Sequence, residues 1–307
     1  MSPPAAALAD YLAVRRAMGY KLERAGKLLA QFVCYLDAAD ITTVTVEHAL
    51  AWATLPADGS INWWAHRLSV VRGFATYLAT IDPVTEVPPS DLLAYRKRRA
   101  TPFLYSDDDI AALLAATQTL SSPLRRATYH TLLGLLVVTG MRIGEAIGLD
   151  RSDVDVRAGL LMVRQAKFGK DRQLPLHAST TQALTRYLTY RDRLFPQPET
   201  TAVFISTAGT RLRYCNVHWT FQKLIDHAGL EPRSSSCRPR IHDLRHSFAV
   251  HTMLEAYRRA ADVQAHLPLL STYLGHVHPA NTYWYLSAAP ELLALAGQRL
   301  EDLEGVR

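Results

Sequence analysis

The chain has 307 residues, of which 49% are hydrophobic and 20% are charged, and its formal net charge is +6. This length exceeds what one ordinary core accommodates, so we expect two globular domains rather than a disordered or fibrous chain. The mild basic excess favours an anionic partner such as nucleic acid. Three widely spaced cysteines, Cys34, Cys215 and Cys237, argue against a disulfide framework or a CxxC metal site.

The N-terminus contains no basic segment followed by a signal-type apolar core. The apolar stretch 132–139 is far too short to cross a bilayer. We therefore expect a cytoplasmic protein with no membrane partner.

The first 81 residues predict four helices, at 4–18, 21–38, 46–55 and 61–81. Gly19 is a typical helix stop, and Thr45 and Ser60 are typical N-caps. Basic residues on the polar faces either follow a nucleic-acid backbone or form an ordinary solvated surface. They are Arg15, Arg16, Lys21, Arg24, Lys27, Arg67 and Arg72.

Prolines interrupt the helical pattern between 83 and 102, which is typical of a linker. This segment also holds the densest basic run of the chain, Arg96, Lys97, Arg98 and Arg99. A solvated charge run is the plain interpretation, and contact with phosphates is the functional one.

The second part opens with Ser106 and three aspartates, which predict a capped helix continuing through 110–116. The segment 128–138 is apolar on nearly all sides and predicts a buried helix that ends at Gly140. A further helix at 143–149 places Arg142 at or near a helix N-terminus, where it could help bind an anion. Alternatively, Arg142 pairs structurally with Glu145 or Asp150.

Strands are predicted at 154–156, 160–165 and 172–176, with a turn around 168–171, and again at 203–206. Lys167 and Lys170 lie close to that turn. A lysine at a hairpin tip is usually solvated, but a flexible one can reach into a cleft and donate a proton. Helices fill most of 181–229, and the loop after them contains Arg233, Arg238 and Arg240, which could lie near a nucleic-acid strand.

A helix predicted at about 242–257 puts His242, Arg245 and His246 on one face. Histidines at i and i+4 also make a zinc-binding pair. Against a metalloprotease site, however, the second motif position is Asp243 rather than glutamate, and an arginine shares the face. Further on come Leu274-Gly275-His276 and, nine positions later, Tyr285, with Tyr273 and Tyr283 as competing phenols.

Together these residues resemble the tyrosine recombinases, the phage-integrase and Xer-type family with the signature R…K…HxxR…H/W…Y. Its six positions are filled in order by Arg142, Lys167, His242, Arg245, His276 and Tyr285, with Lys170 as the alternative lysine. The resemblance implies a mainly α fold with a small antiparallel β-sheet. It divides the chain into a four-helix, SAM-like core-binding domain at 1–82, a basic linker at 83–102, a mixed α/β catalytic domain at 103–289 and a C-terminal helix at 290–307. One departure is the segment 255–266, which is longer than the family's compact turn and lacks its glycine.

The resemblance implies a site-specific recombinase that cuts and rejoins DNA through a 3′-phosphotyrosine link, with no metal, ATP or other cofactor. The stretch 282–293 looks like integrases of mobile elements. The alternatives are a Xer-type resolvase of replicon dimers, a DNA-binding regulator without catalysis, and a metal-dependent hydrolase.

The expected partners are double-stranded DNA with paired recombination sites and further copies of the chain in a tetramer on DNA, with or without sister recombinases or accessory proteins. The expected location is the nucleoid. An amphipathic helix is predicted at 291–303. Its stripe of Leu292, Ala296, Leu300 and Leu303 either caps its own domain or docks on a neighbouring protomer.

Overall fold

The computed structural model describes residues 3–93, 100–164, 171–259 and 262–276, and after these 278, 282–283, 291–292, 294–295, 297–298 and 301. The chain forms two compact units, Met1–Arg99 and Ala100–Arg307. In the described ranges no helix is long and apolar enough to span a membrane.

The first unit consists of four helices, α1 (Pro3–Ala17), α2 (Glu23–Ala38), α3 (Val46–Thr54) and α4 (Ile61–Leu78). The side chains of Thr45 and Ser60 cap α3 and α4 by accepting backbone N–H bonds, as their residue types predict. Phe32, Leu68 and Phe74 are fully buried between the helices. The unit therefore has its own hydrophobic core.

Two of the basic residues predicted on the polar faces of this unit are used inside it. Arg67 is only 6% exposed, because its guanidinium lies 3.7 Å from the Trp52 ring centroid and donates to the Trp52 carbonyl at 2.7 Å. The expectation that Arg67 lies on a solvent-facing surface is wrong. Arg72 donates to the carbonyls of Pro88 and Pro89, each at 2.7 Å. The period of α4 turns both side chains toward neighbouring backbone.

The second unit begins with helices α5 (Asp107–Ala116), α6 (Pro123–Thr139) and α7 (Ile143–Gly148). Strands β1 (Val154–Asp155), β2 (Leu160–Val163) and β3 (Arg172–Pro175) form an antiparallel sheet in the order β1-β2-β3. Helices α8 (Ala178–Leu194), α9 (Tyr214–His227), α10 (Asp243–Arg258) and α11 (Val263–Leu274) follow the sheet. The fold class is thus mainly α with a small antiparallel sheet, as predicted.

Helix α6 lies at the centre of the second unit and packs against α8 and α10. Leu132, Leu133 and Leu136 on α6 are buried, which agrees with the helix predicted to be apolar on nearly all sides. Because α6 and α10 pack together, the residues that follow α6 come close to those that begin α10.

The strand predicted at 203–206 is wrong. Val203 and Phe204 are fully buried, and Phe204 stacks on Tyr187 of α8, but the segment forms only isolated bridges, Asp150 with Ala202 and Ile205 with Arg211. An apolar run can be buried against a helix without a neighbouring strand, and periodicity does not distinguish the two cases.

The segment 255–266, expected to differ from the family's compact turn, is mostly helical where it is described. Helix α10 continues to Arg258, and the Asp262 side chain caps α11 by accepting from the backbone N–H groups of Gln264 and Ala265.

Candidate active site

The turn between α6 and α7 places Arg142. Gly140 ends α6 with φ +58°, and a Cβ at this position would lie 2.4 Å from Cδ1 of Phe248, so glycine is required on both counts. Arg142 directly precedes α7, and its backbone N–H donates to a carboxylate oxygen of Glu145 at 2.9 Å. The predicted position at a helix N-terminus is confirmed.

Arg245 on α10 is hydrogen-bonded to two turns, the one that ends α6 and the one that ends α11. Its side chain is almost fully buried, with the residue 1% exposed. Nη1 donates to the Gly140 carbonyl at 2.8 Å, and Nη2 donates to the Leu274 carbonyl at 2.6 Å. Nη2 also lies 3.1 Å from Nε2 of His276. The guanidinium is therefore held in one orientation by backbone carbonyls from distant parts of the chain.

His276 follows the glycine that ends α11, and both of its ring nitrogens have neighbours. Nδ1 lies 2.8 Å from Oγ1 of Thr282. Since a guanidinium can only donate, the contact with Arg245 requires a lone pair on Nε2, which places the ring proton on Nδ1. Burial, followed by the positive charges of Arg245 and Arg142, lowers the pKa of His276 to about 4. The ring is therefore neutral at pH 7.

His242 and His246 lie one turn apart at the start of α10, with ring centroids 5.1 Å apart in an edge-on arrangement. His242 immediately precedes the helix with its accessible surface toward the cleft, and desolvation by the surrounding protein atoms, followed by the charge of Arg245, lowers its pKa to about 4. His246 is buried, with Nε2 3.9 Å from Oδ1 of Asp243. Burial is the main cause that lowers the pKa of His246 to about 3. Both imidazoles are therefore neutral at pH 7, with His242 facing the cleft and His246 buried behind it.

Glu145 binds two arginines with one buried carboxylate. Oε1 accepts from Nη1 of Arg142 at 2.8 Å and from Nη1 of Arg172 at 3.1 Å. Oε2 accepts from the Arg142 backbone at 2.9 Å and from Nη2 of Arg172 at 2.8 Å. Burial raises the pKa of Glu145, but hydrogen bonds and charge from Arg172 and Arg142 outweigh it and hold that pKa at about 2. The pairing of Arg142 with Glu145, one of the predicted alternatives, is thus present.

A cleft of about 460 Å³ opens beside these groups. Arg142 and His242 both line it, so a cation and a neutral imidazole face the same space. Its walls also include apolar side chains, a tyrosine and a further ion pair. The remaining lining residues are Ile143, Gly144, Glu145, Gly148, Leu149, Asp153, Arg164 and Tyr214.

Several predicted site residues lie outside the described part of the chain. These are Lys167, Lys170 and Tyr285, together with Arg96, Lys97, Arg98 and Arg99 of the basic run. The two competing phenols are described. Tyr273 stacks on Phe248 with ring centroids 5.7 Å apart, and burial raises its pKa, whereas Tyr283 is 58% exposed.

The loop arginines before α10 differ in their contacts. Arg240 donates from two nitrogens to the carboxylate of Asp243, both at 2.9 Å. Arg233 donates to the Leu104 carbonyl at 2.9 Å and lies over the Phe103 ring. Arg238 is exposed. Arg233 and Arg240 therefore stabilise the loop that leads into α10, in addition to any contact with a ligand.

The candidate nucleic-acid contacts of the first unit, other than Arg67 and Arg72, lie at or near its surface. Arg15 is half-buried with its guanidinium 4.0 Å from the Tyr20 ring centroid. The exposed members are Arg16, Lys21, Arg24 and Lys27.

Two residues of the site, Arg172 and Tyr214, were not predicted from the sequence. A signal for Arg172 was present, because side chains two apart on a strand share a face and Leu174 is buried. A charged residue on the buried face of a short strand needs a buried partner. Tyr214 carries no comparable signal, since the cleft that it lines is formed by segments far apart in the chain.

The zinc alternative finds no support in this geometry. In the described ranges no three His, Cys, Asp or Glu side chains are grouped as a metal site requires. The imidazoles of His242 and His276 lie instead beside Arg245, whose charge repels a dication.

Comparisons with known proteins agree on one family. The model of the phage integrase family matches residues 104–291. The chain is 44% identical to "Putative integrase/recombinase y4rB" of Sinorhizobium fredii, covering 96% of each protein. It is 31% identical to the tyrosine recombinase XerC of Actinobacillus pleuropneumoniae, over 80% of this chain and 74% of the relative.

Solved structures share the fold at lower sequence identity. The Tn1549 transposon integrase in complex with transposon right end DNA superposes with a TM-score of 0.64 at 15% identity, covering 96% of this chain and 99% of that chain. A lambda integrase dimer bound to a COC′ core site gives 0.60 at 19% identity, covering 92% and 94%. With the family model spanning more than half of the chain, this protein belongs to the phage integrase family of tyrosine recombinases, enzymes that cut and rejoin DNA.

Proposed function

We propose that the chain cuts one DNA strand by attack of the Tyr285 hydroxyl on a phosphodiester held by Arg142 and Arg245. A bond forms between the tyrosine oxygen and phosphorus while the bond from phosphorus to the 5′-oxygen breaks. The product is a 3′-phosphotyrosine link and a free 5′-hydroxyl. A 5′-hydroxyl from a second strand reverses the step and joins new partners, so that neither ATP nor a metal ion is consumed.

One observation carries this proposal. Arg245 is hydrogen-bonded to the Gly140 carbonyl, two positions before Arg142, and to the turn that carries His276, while Arg142 and His242 line one cleft. Such a set suits an anion whose charge increases in the transition state. The guanidiniums bind the non-bridging oxygens, and a bound phosphate raises the pKa of His276 toward a protonated donor.

Proton transfer completes the mechanism. A phenol with pKa about 10 is mostly protonated at neutral pH and needs a base and a cationic environment. His242 faces the cleft and is neutral at pH 7; a phosphate bound there raises its pKa from about 4, and its ring accepts the Tyr285 proton. Lys167 donates a proton to the departing 5′-oxygen. Removal of one such transition-state contact typically lowers the rate by about 10²–10³-fold.

The substrate is double-stranded DNA with paired sites, on which four copies of the chain assemble in the nucleoid, with or without sister recombinases or accessory proteins. Relatives named integrase/recombinase support a role in moving a mobile element over one in resolving replicon dimers. The exposed basic residues of the first unit and the loop arginine Arg238 are the proposed backbone contacts.

The proposal is tested with a DNA substrate nicked near the cleavage site, so that the cut product diffuses away and the covalent adduct accumulates. In EDTA, the unaltered chain should form a protein–DNA adduct that resists denaturant, and Tyr285→Phe should form none. Tyr283→Phe is the matched control, since it removes an exposed phenol two positions away and should leave the adduct intact.

Other outcomes identify other functions. Binding without any adduct would indicate a regulator, and loss of cleavage in EDTA would indicate a metal-dependent hydrolase. Transfer of the adduct to Tyr283 in the Tyr285→Phe variant would reassign the nucleophile.

A further inference from the structure

Arg172 is a third arginine of the site that the catalytic signature does not include. It begins β3 and pairs in register with Val163 of β2, so it stands where the two strands of the hairpin begin to pair. Its side chain is 12% exposed, and both terminal nitrogens bind Glu145. Two parallel hydrogen bonds from a guanidinium to a buried carboxylate fix their relative orientation, and here they connect β3 to α7.

The same guanidinium also packs against the turn before His276. A Cβ added at Gly275 would lie 3.1 Å from Nη1 of Arg172, and Gly275 has φ +68°. The Gly275 carbonyl lies 3.4 Å from Nη2 of Arg142. Arg172 therefore connects β3 to the start of α7 and to the end of α11, next to Arg142 and His276.

The contact of Arg172 with Glu145 changes the net charge of the group that contains Arg142. Without Arg172, the carboxylate of Glu145 would pair with Arg142 alone, and the pair would be neutral. With Arg172, two positive charges share one negative charge, and the group keeps a net charge of +1 beside the cleft. Arg142 and Glu145 both line the cleft, and since Arg172 balances the Glu145 carboxylate, Arg142 can attract a phosphate although it is already bound to that carboxylate.

We propose that Arg172 is a positioning residue for strand cleavage, which holds Glu145 so that Arg142 stays oriented and keeps its net positive charge for the scissile phosphate. This inference rests on the proposed function, because it assigns a role within the same reaction. Arg172 touches no reacting atom in this scheme and acts through Glu145.

The test is the single-turnover rate of adduct formation on the nicked substrate at saturating DNA. Arg172→Ala should lower this rate by about 100-fold, as expected when a key cation loses its alignment. Arg172→Lys keeps the charge but loses the fork and should lower it by about tenfold. Arg157→Ala, which removes an exposed arginine between β1 and β2, is the control and should keep the full rate.

The decisive variant is the double substitution Arg172→Ala with Glu145→Gln. Removing the unbalanced carboxylate should restore the rate by about tenfold over Arg172→Ala alone, since the neutral amide no longer cancels the charge of Arg142. Loss of Arg172 also leaves the buried carboxylate with less charge compensation, so the rescue supports positioning only where the stability of Arg172→Ala is unchanged or where the rate recovers without a matching gain in stability. Gel-shift binding and thermal unfolding of each variant separate the rate effect from lost binding or lost fold.

A rate for Arg172→Ala within about threefold of the unaltered chain would overturn the inference, as would a loss that Glu145→Gln deepens. Should Arg172→Ala not fold, a folded Arg172→Lys with an unchanged rate would overturn it equally. If the unaltered chain forms no adduct, the proposed function is wrong and the role of Arg172 in it is wrong as well. If the unaltered chain forms the adduct, the rates of the Arg172 variants test the inference alone.

Discussion

At the scale of single residues, the site combines fixed cations with imidazoles that burial keeps neutral. Arg245 cannot lose its charge and is oriented by two backbone carbonyls, whereas His276 and His246 have pKa values lowered to about 4 and about 3. Arginines therefore supply permanent charge and histidines supply proton exchange. Burying neutral histidines has a cost in stability that depends on pH.

We predict that the free energy of unfolding of the DNA-free protein decreases as the pH falls from about 6.5 toward 4. The unfolded chain takes up protons on His246 and His276 in this window, while the folded chain does not, so acid favours unfolding. The expected slope is at most about 1.4 kcal/mol per pH unit for each histidine. Glu145, whose pKa in the folded protein is about 2, stabilises the fold above its ordinary pKa. This contribution is lost as the pH falls from that value toward 2, so it affects stability mainly at lower pH than the histidines.

Urea unfolding between pH 8 and pH 5 measures this slope. His246→Gln should reduce the slope by the contribution of at most one proton, about 1.4 kcal/mol per pH unit. His227→Gln, at an exposed position on α9, should leave the slope unchanged. An unaltered slope in His246→Gln would contradict the prediction.

At the scale of elements, the last described residues bear on whether the C-terminal segment caps its own domain. Leu292 is 4% exposed and belongs to a buried cluster with Leu254, Leu267 and Leu270 of α10 and α11. Leu295 packs against the same cluster. This arrangement favours the first of the two predicted alternatives, packing on its own domain.

Leu292→Ala should therefore destabilise the isolated chain by about 2–4 kcal/mol, as expected for a buried leucine. Thermal or urea unfolding without DNA measures the change, and Leu269→Ala, a leucine of α11 that is 67% exposed, serves as the neutral control. Unchanged stability together with lost cooperative assembly on DNA would show instead that the segment docks on a neighbouring protomer.

At the scale of the whole molecule, each compact unit carries its own hydrophobic core. The first unit is built from four helices and buries aromatic side chains such as Phe32, Phe74 and Trp52. The second is organised around α6 and holds every described residue of the candidate active site. The two units therefore satisfy the main requirement for folding separately.

A fragment of residues 1–93 should fold alone, with a helical circular dichroism spectrum and cooperative unfolding within about 5 °C of the first transition of the full chain. In the full chain, Phe32→Ala should lower that transition and leave the second one in place. A fragment that stays unfolded would show that the first unit depends on the second.

Most of the helices, and the arrangement of residues within each helix, could be predicted from the sequence alone. Apolar periodicity and caps such as Thr45, Ser60 and Ser106 predicted the helices, and the spacing of His242 and Arg245 predicted a shared face, because these patterns depend on neighbours within one turn. Tertiary structure alone decided which charges are used internally. Arg67 is buried against Trp52, the run at 203–206 packs on α8 without forming a strand, and Arg172 meets Glu145 from 27 positions away. Such partners are chosen by packing between distant segments, and no local pattern encodes them.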